Sequence, residues 1–276
     1  MSLLRILARA LTLSLICLSV DGLATGASNF LPLCRMFAEQ QGADTGFCKQ
    51  IADKFFGGPR AKNAVTIISP VDVGAPALAV DSKVQFLVFN DPNYLAGMAY
   101  CYFAFRGWID AEKFSPDDIV LASSGFSILN EDIASYKKWL EANASGKKCR
   151  ARVEKESGVP VTDLAAALKG YAAIVGINPL ASVKSGKLGF EPIHDEMRLT
   201  VNHERIHAYQ VLCPNLEAWG QKKWKELPAE EQAKFPLVYP SYNWKDLKVA
   251  GREYVAYSFE GKPLRISDHV GKCKIK

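Results

Sequence analysis

The sequence predicts an α+β fold, with a mixed helix and strand portion first and a helical portion toward the C-terminus. Three observations predict it. β-branched and aromatic runs cluster between residues 64 and 106, helix-start signals recur on either side of them, and residues 194–212 contain neither Gly nor Pro. The chain has 276 residues, 49% hydrophobic and 23% charged, which supplies ample apolar material for a core. The expected organisation is residues 1–27 as a leader, 28–180 as the α+β portion and 181–276 as the helical portion. One continuous domain over 28–276 is the alternative.

Residues 1–27 have the pattern of a secretory signal. Arg5 and Arg9 precede an apolar stretch from Ala10 to Val20, and Thr25 and Ala27 stand like the small residues of a cleavage site. The apolar run ends at Asp21 and Gly22, short of the roughly 20 residues a membrane-spanning helix needs. No other stretch is long and apolar enough, so the expected location is secreted or periplasmic with no stable membrane insertion. Net charge is +5, but Lys and Arg are scattered among acids, without the basic stripe of a nucleic-acid binder. Oligomeric state is not legible.

After the leader come two short helices over 29–57, separated by Gly42-Ala43-Asp44-Thr45-Gly46 and stopped by Gly57-Gly58-Pro59. Val65 to Ile68, Val84 to Phe89 and Tyr100 to Phe105 are expected as strands. Ser115-Pro116-Asp117-Asp118 has a capping residue, Pro at the first helical position and acids in the first turn. Further helices are expected at about 131–144 and 161–175, the latter capped by Thr162. The segment 177–192 reads as a loop. Cys34, Cys48, Cys101, Cys149, Cys213 and Cys273 remain once the leader is removed, an even number suited to disulfides in an oxidising compartment. Cys34 with Cys48 is the pairing expected from proximity, and Cys213 is expected to pair with Cys273. Cys101 is alternatively a free buried thiol.

The chemistry concentrates in His203-Glu204-Arg205-Ile206-His207. On a helix the two His are i and i+4, so both imidazoles leave one face about 6 Å apart, as two nitrogen ligands of one metal ion require. Glu204 points one residue round the helix, where it can reach a water rather than the ion, the place of a general base. Arg205 puts a charge where such motifs usually carry an uncharged residue. The bland alternative is an amphipathic helix with an incidental His pair. His194 falls near the opposite face and is expected to be structural.

Three protein ligands and one open position make a catalytic zinc site. Residues Ala208 to Cys213 do not continue the HExxHxxGxxH pattern. Instead, Glu253-Tyr254-Val255-Ala256-Tyr257 resembles the ExxAD helix of the gluzincin zinc metallopeptidases, with Tyr257 where that pattern has Asp. The resemblance covers only 203–210 and 253–257. It implies Zn²⁺ held by His203, His207 and Glu253 on a zincin-like helix, Glu204 as catalytic base, and a peptide or protein substrate. Glu260, Asp268 and His269 are the competing third ligands, and Tyr254, Tyr257, Arg252 and His269 are candidate oxyanion donors. The aromatic residues over 210–257 are expected as packing rather than as a substrate cleft. The rival from another class is a disulfide-stapled exported binding or structural protein with a non-catalytic metal site or none.

Overall fold

The structure, a computed structural model, describes residues 29–58, 63–239 and 242–261; the expected leader, Asp268, His269 and Cys273 lie outside the described residues. Helices α1 (Phe30–Gln40) and α2 (Gly46–Phe56) come first. Gly57 ends α2 with φ 77°, a left-handed conformation that costs Gly little. Strand β1 (Val65–Ile68), 3₁₀ turns at Pro70–Val73 and Ala79–Lys83, and strand β2 (Val84–Phe89) follow. Then come α3 (Pro92–Phe105), α4 (Pro116–Ala122), β3 (Gly125–Leu129), α5 (Ile133–Ala142), α6 (Ala144–Ser157), α7 (Leu164–Ala167), β4 (Ala173–Ile177) and α8 (Pro179–Lys184). The rest is helical: α9 (Phe190–Leu212), α10 (Pro214–Glu226), α11 (Ala229–Gln232), α12 (Lys234–Val238) and α13 (Leu247–Phe259). The fold class is α+β, as expected.

Among the described residues the strands form one mixed sheet in the order β1-β2-β4-β3. β2 and β4 pair in parallel, with Val84 opposite Ala173, while β1 and β3 flank them antiparallel. The alternating side chains of the central strands feed two cores. Val84, Phe86, Val88, Ala173, Val175 and Ile177 join α1, α2, α8 and α9 on one face. Leu87, Phe89 and Ile174 join α3, α5 and α6 on the other. The central strands are therefore covered on both faces, and β4 reads as an unbroken apolar run while β2 is interrupted only by Gln85.

Several expectations are corrected. Tyr100 to Phe105 is not a strand but the end of α3, whose N-terminus is capped by Asp91 accepting from the Asn93 amide at 2.8 Å. Leu95 through Phe103 is buried on every side, so that helix carries no polar stripe to betray its period. Residues 161–175 hold only the single turn α7, capped by Asp163 rather than Thr162, and then enter β4. The supposed loop at 177–192 contains α8 and the first turn of α9. Ser115 does cap α4, with its hydroxyl accepting from the Asp118 amide at 3.1 Å and the Asp118 carboxylate accepting from the Ser115 amide at 2.7 Å.

Cys34 and Cys48 are bonded and staple α1 to α2. Cys101 is buried but not free: it is bonded to Cys149 and ties α3 to α6. Cys213 is also disulfide-bonded, while its expected partner Cys273 lies outside the described residues. These bonds suit an oxidising compartment. Among the described residues no helix is long and apolar enough to cross a membrane.

Candidate metal centre

α9 runs for 23 residues against β3 and β4, and its contact with the sheet is unusually close. A Cβ on Gly125 of β3 would lie 2.0 Å from Cγ2 of Thr200, so only glycine lets the helix settle there. One turn beyond Thr200 are Glu204, which reaches the Ser127 hydroxyl of β3, and His203. The opposite side of α9 is anchored by Arg205, whose side chain is 0% exposed. Its guanidinium donates to the carbonyl of Pro76 at 2.7 Å, to Asp81 at 3.3 Å and to Asn202 Oδ1 at 2.6 Å. The charge that looked out of place in the motif thus fastens the helix to the segment leading into β2. His194, well away from the centre, stacks between Phe55 and Phe190 and contacts Lys54 Nζ at 2.9 Å.

α13 brings the acid. It crosses α10 where Gly220 meets Gly251, and a Cβ on either glycine would fall 2.7 Å from the other helix's backbone. Two residues further on, Glu253 turns inward, buried with His203 and His207. His203 Nε2 lies 3.5 Å from Glu253 Oε2, and His207 Nε2 lies 3.6 Å from Oε1. Donor atoms of all three residues lie within 4.8 Å of one another, a group that could hold a metal ion.

The residues fit an ion on two grounds. Glu253 Oε2 is buried without a hydrogen-bond partner, an expensive state for a carboxylate that a cation would relieve. The nitrogen–oxygen separations are longer than ordinary hydrogen bonds. They are close to the roughly 3.4 Å expected between two ligands held at about 2.1 Å in a tetrahedron.

Each imidazole is also fixed from behind. His203 Nδ1 donates to Glu260 Oε2 at 3.3 Å, and His207 Nδ1 donates to Gln210 Oε1 at 3.0 Å. The Gln210 amide in turn donates to the Arg252 carbonyl at 3.0 Å, which fixes which end of the amide faces His207. Because carboxylate and amide oxygens only accept, both Nδ1 atoms carry hydrogen, and both Nε2 atoms face Glu253. Glu260, weighed from sequence as a third ligand, therefore sits behind His203 rather than beside the donor group. Tyr257 does not take the place of the Asp in the resembling pattern: its ring packs edge-on against His203 with centroids 4.4 Å apart.

The local charges follow from burial and proximity. Burial alone would lower the His203 pKa, but the carboxylates of Glu253, Glu260 and Glu204 around it outweigh that and push it up to about 10. Burial would raise Glu253, but the two imidazoles hold it below the usual carboxylate range. Glu204 is raised by burial, and the charges of His203 and His207 offset this only in part. The Tyr242 hydroxyl lies beside Glu253 and Tyr257, although the aromatic residues of 210–257 were expected as packing rather than at the centre.

The other candidates are placed elsewhere. Arg252 is committed to Glu131 at 2.9 Å and Glu217 at 2.6 Å. Tyr254 turns toward Trp224 and Phe235, within an aromatic cluster that also holds Trp244, so these residues pack as expected. No family model, curated protein or solved structure matches the chain.

Proposed function

We propose that the protein is an exported zinc-dependent metallohydrolase that cleaves peptide bonds. The observation that carries this reading is the buried Glu253 carboxylate, one oxygen of it unpartnered, facing two imidazole Nε2 atoms whose tautomers are set from behind. His203, His207 and Glu253 would hold the ion, leaving a fourth position for water or substrate. Zinc, when bound, lowers the pKa of water toward about 7 and polarises a carbonyl.

The remaining chemistry belongs to side chains. Glu204, its pKa raised above the ordinary carboxylate value by burial, takes the proton of the attacking water as the water oxygen bonds to the scissile carbon. It returns that proton to the amine as the C–N bond breaks. Ser127 of β3 neighbours the Glu204 carboxylate and counters part of the rise that burial causes. The hydroxyls of Tyr242 and Tyr257 supply donors for charge developing on the carbonyl oxygen. The leader pattern and the disulfides support work outside the cytoplasm, on peptide or protein substrates.

The low exposure of the three donors favours a second reading, an ion with a purely structural role. Metal analysis and hydrolysis of an unstructured protein separate the two. The hydrolase reading expects stoichiometric zinc that is lost in His203→Ala, and cleavage that is abolished by Glu204→Gln with zinc retained. Zinc without cleavage in the wild type favours the structural reading. Absence of zinc rules out both.

A further inference from the structure

Behind the donor group runs a chain of polar contacts that the hydrolytic reading does not require. Asp81 and the Pro76 carbonyl hold Arg205, and Arg205 holds Asn202 Oδ1 at 2.6 Å. Asn202 Nδ2 donates to the backbone carbonyl of Glu260 at 3.2 Å, and the Glu260 carboxylate meets His203 Nδ1 at 3.3 Å. Glu260 is the C-cap of α13, where the last carbonyls of a helix have no partner within it. Asn202 satisfies one of them and so fixes the end of α13 relative to α9. Adjacent residues of α9, Asn202 and His203, thus grip the two ends of one residue, its backbone and its carboxylate.

We infer that Glu260 is the positioning residue for the metal donor His203, and that buried Arg205, acting through Asn202, sets where Glu260 stands. The inference rests on the zinc reading above. The carboxylate keeps the Nδ1 hydrogen in place, so that Nε2 is the nitrogen presented beside Glu253 to an incoming ion. The Asn202 contact spares it the entropy of searching from a helix end. Asn202 must keep its amide oriented to serve both neighbours, and the Arg205 guanidinium dictates that orientation by taking its oxygen.

The test is zinc affinity by chelator competition for the wild type, Glu260→Ala, Glu260→Gln and Asn202→Ala, with thermal unfolding of each metal-free form. Glu260→Ala should weaken zinc binding about 10- to 100-fold. Glu260→Gln keeps an acceptor oxygen and should recover most of that loss, and Asn202→Ala should fall between the two. Glu260 is partly exposed at a helix end, so its variants are expected to fold, with metal-free melting temperatures close to the wild type. Zinc affinity within twofold of wild type in Glu260→Ala overturns the inference while leaving the zinc reading intact. Equal losses in Glu260→Ala and Glu260→Gln also overturn it, because an acceptor would then not matter. A wild type that takes up no zinc overturns the zinc reading and the inference together.

Discussion

Glu204 and His203 are neighbours in the chain with opposite tasks, and each gives a separable prediction. Glu204 touches no donor atom's far side, so replacing it by Gln should leave zinc content unchanged while turnover falls about 10²- to 10⁴-fold. Metal analysis beside peptide hydrolysis checks both halves. His203 is held at about 10 without metal, so below that pH it carries a proton that an incoming ion must displace. Zinc affinity should therefore rise with pH, and uptake at pH 7 to 8 should release about one proton from this imidazole. Calorimetry in buffers of different ionisation heat measures that number; no proton release would show that Glu253 and Glu260 do not hold His203 charged.

The centre exists because helices approach one another at positions without side chains. Gly220 and Gly251 bring α10 and α13 into backbone contact, and Glu253 stands half a turn beyond that crossing. An added methyl at Gly251 would meet the Gln221 backbone at 2.7 Å, and backbone cannot turn aside as a flexible side chain can. Gly251→Ala should therefore destabilise the protein by about 1–3 kcal/mol and weaken zinc binding, because the whole of α13 must shift. Denaturant titration and chelator competition report the two effects. Unchanged zinc affinity would mean that Glu253 is placed independently of this crossing. Gly125 plays the same part between β3 and α9, where it admits Thr200 and brings Ser127 within reach of Glu204.

Across the molecule, the donor group joins α9, which lies on the sheet, to α13, which packs on α10. An ion there is a cross-link present only in the folded chain. Zinc at 100 times its dissociation constant should add about 2.7 kcal/mol, so a chelator should lower the melting temperature by several degrees. His203→Ala should abolish that difference. The Cys34–Cys48 bond closes a short loop at the opposite end of the chain, and removing it should cost roughly 3 kcal/mol by chain entropy alone. Zinc affinity measured on that variant below its melting temperature should remain near wild type, since the bond joins α1 to α2 and the three donors stand on α9 and α13.

What could be read in advance was local. The i, i+4 spacing of His203 and His207 is a property of one helix, and the Ser115 cap and the nearby Cys34 and Cys48 are set by a few neighbouring residues. The failures came where periodicity vanishes. Tyr100 to Phe105 in a fully buried helix and Ala173 to Ile177 in a strand covered on both faces are both unbroken apolar runs, which pattern alone assigns poorly. By itself, then, the sequence determined that two imidazoles share a helix face with a glutamate one residue away. Only the tertiary structure decided which distant acid faces them and which stands behind. Glu253 and Glu260 are seven residues apart on one helix face; the ExxAD-like segment favoured Glu253, but spacing alone left Glu260 open. Their roles follow from the depth at which Gly220 and Gly251 let α13 approach and from Asn202 capturing its last turn, contacts that exist only after the helices have packed.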